Sequence, residues 1–91
     1  MLDLTKHYSL SRQAAIRPER FGGLVYRYDN RRLYFLHSPE LVDFVSGLDG
    51  TRPLGAILDA YLSGHQLPDK TRSVFINALS QLQKMEVLSE L

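Results

Sequence analysis

The sequence contains no cysteine, which excludes a disulfide framework, a thiolate metal site and a cysteine nucleophile. It has no apolar run approaching the roughly 20 residues of a membrane span, and residues 1–10 lack the apolar core of a secretory signal. No repeat or low-complexity segment interrupts its 91 residues. A chain of this length forms a single domain with one modest core, and we expect it to be soluble, cytoplasmic and without a membrane partner.

The net charge of +1 conceals a difference between the two parts of the chain. Residues 1–37 carry seven basic and three acidic side chains, a net +4, whereas residues 38–91 carry four basic and seven acidic ones, a net −3. Such a division attracts an acidic ligand to the first part. Surface charge that meets only solvent explains the same pattern, and composition does not separate the two interpretations.

Residues that could carry chemistry are scattered. The three histidines, His7, His37 and His65, do not have metal-ligand spacing, and no serine lies in a G-x-S-x-G turn. Gly22-Gly23 is followed neither by a phosphate-loop lysine nor by a helix start, so a bulge or a close backbone approach explains the pair better. We therefore expect no enzymatic activity, no cofactor and no metal.

The residue pattern changes near position 38. Before it, β-branched and aromatic residues in short runs predict three strands, at residues 13–18, 24–28 and 31–37. After it, apolar residues recur at helical spacing in three segments, which begin after Ser38, at Pro53 and at Pro68-Asp69. Val87-Leu88 either continues the third helix or folds back as a short strand.

The second and third strands are expected to form a hairpin, because Asp29-Asn30 is a turn-forming pair. A two-residue turn would place Val25 opposite Tyr34 and Leu24 opposite Phe35. A three-residue turn would change that register.

These elements predict an α+β fold in the order β-β-β-α-α-α: an N-terminal three-stranded antiparallel sheet followed by a three-helix bundle, which is winged-helix-like with its sheet placed first. Within one domain of residues 1–91, we assign 1–12 to an N-terminal extension, 13–37 to the sheet and 38–88 to the bundle. The first helix is expected to be capped by Ser38 and to end at Asp49-Gly50.

The third strand is expected at a border of the sheet, where its free main-chain groups can accept a strand from a peptide. A groove between that strand and the third helix would supply side-chain pockets. The alternative is that Tyr34 and Leu36 merely cover the sheet, and the residues alone leave both readings open. We expect a monomer. Because the same edge can pair with a second copy, an edge-to-edge dimer is the alternative.

Two other functions fit the predicted architecture. Winged helices often bind DNA, but the basic residues of the third helix are spread round its circumference and the helical part is net acidic, which opposes docking on phosphates. We therefore expect no nucleic-acid partner and retain a DNA-binding regulator as the alternative. A small subunit that stabilises another protein is the third reading.

Two segments carry a resemblance to a known family. Residues 14–26, AAIRPERFGGLVY, followed by Arg32-Leu33-Tyr34-Phe35-Leu36, resemble the mycofactocin precursor-peptide-binding proteins. Those proteins belong to the peptide recognition elements typified by pyrroloquinoline quinone biosynthesis protein D. The specific part is R-P-E-x-F-G-x-L-x-Y, and the similarity runs from about Leu4 to Leu88.

The resemblance implies a non-catalytic peptide chaperone. Such a protein binds the leader of a ribosomally made precursor peptide and presents it to a radical S-adenosylmethionine maturase, here in the biosynthesis of the redox cofactor mycofactocin. Family members hold the leader as an extra strand against the third strand, over the third helix. Carried to this sequence, the strand edge is Arg32, Leu33, Tyr34, Phe35 and Leu36.

Other residues join this expected site for other reasons. Arg31, with Arg32, can meet acidic leader residues, as the charge distribution suggests. Helical geometry rather than a matched motif adds the groove wall, formed by Val74, Ala78, Gln81 and Met85. Arg17-Pro18-Glu19 either supports the fold or touches the enzyme, and the sequence does not decide between these roles.

Overall fold

The computed structural model describes residues 2–91, which form five strands and three helices. In chain order these are β1 (Tyr8–Leu10), β2 (Ala14–Glu19), β3 (Gly22–Arg27), β4 (Leu33–Leu36), α1 (Pro39–Ser46), α2 (Leu54–Gly64), α3 (Lys70–Lys84) and β5 (Leu88–Glu90). The strands form two antiparallel sheets, one in the order β2-β3-β4 and one of β1 with β5.

The α+β class, the antiparallel pairing and the three helices are confirmed, but the predicted single N-terminal sheet is wrong. Residues 8–10, inside the segment assigned to an N-terminal extension, form β1 and pair with residues 88–90, so Tyr8 lies opposite Glu90. After α3 the chain turns at Glu86, whose φ is +60°, and folds back as a strand instead of continuing the helix. Two three-residue strands at opposite ends of the chain thereby close the fold.

The β3–β4 hairpin has the register of the two-residue turn. Val25 lies opposite Tyr34, and Leu24 lies opposite Phe35, as that register requires. The positive φ, +57°, falls on Arg31. Asn30 stabilises this turn by accepting the Arg32 N–H on its side-chain oxygen at 2.9 Å.

The helices begin largely where the sequence predicts. The Ser38 hydroxyl accepts the Leu41 N–H at 3.1 Å, which confirms the cap of α1. The predicted end at Asp49-Gly50 is wrong, because α1 ends at Ser46 with Gly47 as its cap; Gly50 does adopt a positive φ, +77°, but beyond the helix.

The core lies where the three helices meet and extends onto one face of the larger sheet. Phe44 of α1 stands 5.4 Å from Tyr61 of α2 and 5.8 Å from Phe75 of α3, measured between ring centroids. Burying side chains of this size contributes about 1.5–3 kcal/mol each. The helices thus hold each other through one aromatic cluster, which fixes α3 relative to the sheet.

Helix α1 covers the inner face of the β2-β3-β4 sheet. Gly23 permits this contact, because a Cβ at that position would lie 2.9 Å from a side-chain carbon of Val42. On the same inner face Val25 is fully buried, and Tyr34 and Leu36 pack against the core. Within residues 2–91, no helix covers the opposite face of this sheet, and its large apolar side chains are exposed.

Candidate functional site

Strand β4 forms one border of the larger sheet, and half of its main-chain groups have no partner in the sheet. The Arg27 N–H donates to the Arg32 carbonyl at 3.0 Å, which identifies these residues as a hydrogen-bonded pair. Because such pairs alternate along an antiparallel ladder, Tyr34 directs its N–H and C=O to β3. Leu33 and Phe35 direct theirs to the open edge. Two N–H and two C=O groups are therefore presented outward.

The other border, β2, is a much poorer edge. By the same alternation, Ala14, Ile16 and Pro18 direct their main-chain groups away from β3. The Ala14 N–H is already bound to the Ser11 carbonyl at 3.1 Å, and proline has no N–H to donate. Only Ile16 retains an outward N–H on this strand. Of the two borders of this sheet, β4 is the one suited to accept another strand.

The two ends of helix α3 lie near the two ends of β4, so the helix and the strand run in opposite directions. The first turns of α3 line a cavity of about 380 Å³ at the end of β4, whose lining residues are Ser38, Glu40, Leu67, Lys70, Thr71, Val74 and Phe75. Its last turn lies near the start of β4, because Arg27 donates to the main-chain oxygen of Met85 at 3.1 Å. From Val74 to Met85 the helix rises about 16 Å, which is the length of a five-residue strand.

The four residues expected on the groove wall share one flank of α3. Val74 lines the cavity and is 62% exposed, and Gln81 is exposed as well. Ala78 and Met85 are half-buried and pack against the core. The opposite flank faces the N-terminal segment, where Gln83 shares a separate cavity with Leu2. The flank that carries Val74 is therefore the one that borders the cavity beyond the end of β4.

The predicted strand residues divide between the two faces of the sheet. Tyr34 and Leu36 point to the core, whereas Leu33 and Phe35 are 53% and 57% exposed on the outer face. The side chains of Tyr34 and Leu36 thus cover the sheet, as the alternative prediction proposed. This leaves the outward main-chain groups of Leu33 and Phe35 free to pair with another strand.

The two arginines of the turn stand at the start of this edge. Arg31 and Arg32 are exposed, and neither is within 4.0 Å of a carboxylate oxygen in residues 2–91. Their charges are therefore available to a ligand.

Residues 7–89 match the model of the Peptide chaperone MftB family. The chain belongs to this family. The match includes β4, α3 and every strand residue except Glu90, and it confirms the resemblance to the mycofactocin precursor-peptide-binding proteins. No similar curated protein and no similar solved structure was found.

Sequence reasoning missed the buried arginine of this MftB-family chain. Arg27 is only 5% exposed and binds both carboxylate oxygens of Asp29, at 2.9 and 2.7 Å. These hydrogen bonds raise the pKa of Arg27 and lower the pKa of Asp29. The signal was present, because Arg27 follows Val25 at strand spacing and so falls on the inward face. A charged side chain there requires partners that can compensate its burial.

The exposed aromatic face of the sheet was missed as well. We call the outer patch the set of six residues Phe21, Leu24, Tyr26, Tyr28, Leu33 and Phe35, of which all but the half-buried Leu24 are exposed. The ring centroids of Phe21 and Phe35 lie 6.1 Å apart, and those of Tyr26 and Tyr28 lie 5.2 Å apart. Alternation along β3 and β4 was the signal that could have revealed it.

One tyrosine of this MftB-family chain has a pKa that is raised by burial and by a contact between two helices. Tyr61 donates its hydroxyl to Asp43 at 3.0 Å, and burial together with this bond raises the pKa of Tyr61 to about 12. No three His, Asp or Glu side chains of residues 2–91 lie close enough to hold a metal ion. In the same part of the chain, no helix is both long enough and apolar enough to cross a membrane.

Proposed function

We propose that the chain binds the leader of a ribosomally synthesised precursor peptide as a strand added to β4, and presents it to a radical S-adenosylmethionine maturase in mycofactocin biosynthesis. The observation that carries this proposal is the contrast between the two borders of the sheet. The outward main-chain groups of Leu33 and Phe35 in β4 have no partner in the sheet. On β2, the outward N–H of Ala14 is already bound and Pro18 has none, so only Ile16 has an outward N–H without a partner. The peptide-chaperone family supplies the kind of ligand.

Main-chain pairing alone gives little affinity. Four added hydrogen bonds contribute about 4 kcal/mol at ~1 kcal/mol each. Ordering a flexible peptide costs about 2–5 kcal/mol. The two contributions nearly cancel, so the side chains of the leader must supply the net affinity.

The geometry of the β4 edge predicts which side chains the leader should carry. In an added strand, alternate side chains lie over α3, and the others lie beside the exposed Leu33 and Phe35. Both environments are apolar, since Val74 and the half-buried Met85 border the first. We expect a leader segment of about five residues, apolar at most positions, with acidic residues near Arg31 and Arg32.

The proposed site is the one expected from the sequence, and its role is non-catalytic. It comprises Arg31, Arg32, Leu33, Tyr34, Phe35, Leu36, Val74, Ala78, Gln81 and Met85. The chain acts without a cofactor or metal of its own, as a cytoplasmic monomer, and the chemistry belongs to the maturase.

Calorimetric titration with the leader of a mycofactocin precursor peptide tests the proposal. The wild-type chain should bind one leader per molecule. Phe35→Pro, which removes an outward N–H, should abolish the binding. Phe35→Ala, which keeps that N–H, should weaken it less than about tenfold. Leu36→Pro is unsuitable, because it would remove a bond of the β3–β4 ladder.

Circular dichroism of each variant shows whether it is folded. Absence of saturable binding to the wild-type chain at high leader concentration, with or without the maturase, would overturn the proposal. Equal losses in Phe35→Pro and Phe35→Ala would show that the leader contacts the phenyl ring and does not form an added strand.

A further inference from the structure

The outer patch is an exposed apolar surface on the face of the sheet opposite the core. Its six residues belong to β3, β4 and the two turns that flank β3, and five of the six are exposed. Large contiguous apolar patches on a small protein commonly mark a binding surface. Aromatic residues are also enriched in protein–protein interfaces. The patch therefore indicates a binding surface for another protein.

The charged residues around the patch indicate the chemistry of that partner. Glu19 is within the same sheet and already pairs with Arg17 at 2.7 Å. Arg20, beside Phe21 at one end, and Arg31, at the other end, have no carboxylate within 4.0 Å in residues 2–91. The border is thus net cationic, which favours an acidic rim on the partner. A second copy in a symmetric pair would bring these cations together.

The position of the patch indicates which protein should cover it. Leu33 and Phe35 belong to the patch through their side chains and to the open edge through their main chains. A strand added at that edge would extend the patch by its own outward side chains. A protein seated on the patch therefore contacts the bound peptide as well. The enzyme that modifies the peptide is the partner that has to do so.

We propose that the outer patch docks the maturase, through an apolar surface that carries acidic side chains at its border. This inference rests on the proposed function, because it assigns a second face of the same chaperone to the enzyme. The peptide occupies the edge of β4 and the groove, and the maturase occupies the outer face next to it.

Binding of the purified radical S-adenosylmethionine maturase to three forms of the full chain tests this inference. The forms are the wild type, the double variant Phe21→Ser/Tyr26→Thr, and Leu91→Ser as the control. Phe21 and Tyr26 lie in the patch but outside the peptide site, whereas Leu91 is an exposed apolar residue away from it. The double variant should bind the maturase at least about tenfold more weakly, since aromatic anchors dominate interface affinity.

The rim is tested by Arg20→Glu, which should weaken maturase binding about fivefold and reduce its sensitivity to salt. Every form is also titrated with the leader peptide, and the affinities should agree within about threefold, because the outward main-chain groups of Leu33 and Phe35 are unchanged and the only ring contact of Phe35 that is lost is the one with Phe21.

The outcomes separate the two proposals. Failure of the wild-type chain to bind the leader overturns the proposed function and this inference with it. Normal leader binding with unchanged maturase affinity in the double variant overturns only the inference, as does a wild-type chain that never binds the maturase. A wild-type dimer that the double variant dissociates, again with unchanged maturase affinity, assigns the patch to a second copy and overturns the inference.

Discussion

Arg27 and Glu86, which are 59 positions apart, are joined by a hydrogen bond of 2.7 Å from the guanidinium to the main-chain oxygen. The same nitrogen reaches the Met85 carbonyl at 3.1 Å, so one buried cation closes the C-terminal end of α3. A positive charge is favourable there, because the last carbonyls of a helix carry a partial negative charge. Since Arg27 belongs to β3, this contact holds the end of the helix against the sheet that contains β4.

Arg27→Gln should therefore damage both the fold and the groove. The shorter side chain cannot reach Asp29 and the end of α3 together, and it leaves the part-buried carbonyls of Met85 and Glu86 without this donor. We expect the melting temperature to fall by roughly 10 °C and leader affinity to fall with it. Thermal unfolding and calorimetry measure the two effects. Arg72→Gln, which breaks an exposed ion pair with Asp59, should change the melting temperature little.

The sequence could predict contacts between residues that are close together in the chain, but not contacts between residues far apart in it. The hairpin register was predictable, because Val25 and Tyr34 are close in the chain and alternate consistently with their neighbours. The Ser38 cap was predictable for the same reason. By contrast, β1 and β5 have three residues each and pair across nearly the whole chain. Strands so short carry no periodicity, so the second sheet could not be found locally.

The candidate site divides in the same way. The order of the three strands placed β4 at a border, which the structure confirms, and family resemblance is the ground for proposing it as the binding edge. The contacts of Arg27 with the end of α3 depend on a backbone turn at Glu86, and no local residue pattern predicts that turn. Helical geometry also selected the flank of α3 that carries Val74, which lines the cavity beyond the end of β4, but its role in peptide binding stays a prediction.

Val74→Asp tests the apolar groove. Val74 is 62% exposed, so its replacement should leave the fold intact, whereas a charge in the cavity would have to lose water when the leader binds. Leader affinity should fall at least about tenfold. Ser73→Asp introduces the same charge one position earlier on an exposed part of the helix and should leave the affinity unchanged. Equal effects in both variants would place the leader elsewhere.

Gly22→Ala tests the close approach at the start of β3. Gly22 has a φ of +147°, and a Cβ there would collide with the Leu36 carbonyl oxygen and approach the Ser38 nitrogen to 2.7 Å. We expect the free energy of unfolding to fall by about 2 kcal/mol or more, measured by urea denaturation. Gly64→Ala, with no atom within 4 Å of the new Cβ, should instead raise it by ~0.5 kcal/mol. A Gly22→Ala chain of wild-type stability would contradict the packing described.

Stability should decline at alkaline pH because of Tyr61. Burial and the bond to Asp43 raise its pKa to about 12, compared with about 10 in the unfolded chain. Between these values the unfolded state binds fewer protons than the folded state, so the free energy of unfolding falls as the pH rises from about 10 to about 12. Urea denaturation between roughly pH 9 and pH 11 measures this slope. Tyr61→Phe, which has no titrating group, should show a flatter profile.

The proline in β2 also limits how this chaperone can associate with itself. Continuous stacking of copies through the larger sheet would require β4 of one molecule to pair with β2 of the next, so that a fresh edge remained after every addition. Pro18 withholds a donor from that second edge. We therefore expect pairing through β4 to stop at two molecules, and a leader bound at the proposed site to prevent it. Pro18 of the R-P-E motif, together with the Ala14 N–H that is already bound to Ser11, thus disfavours open-ended fibre growth through this sheet in a concentrated, peptide-free preparation.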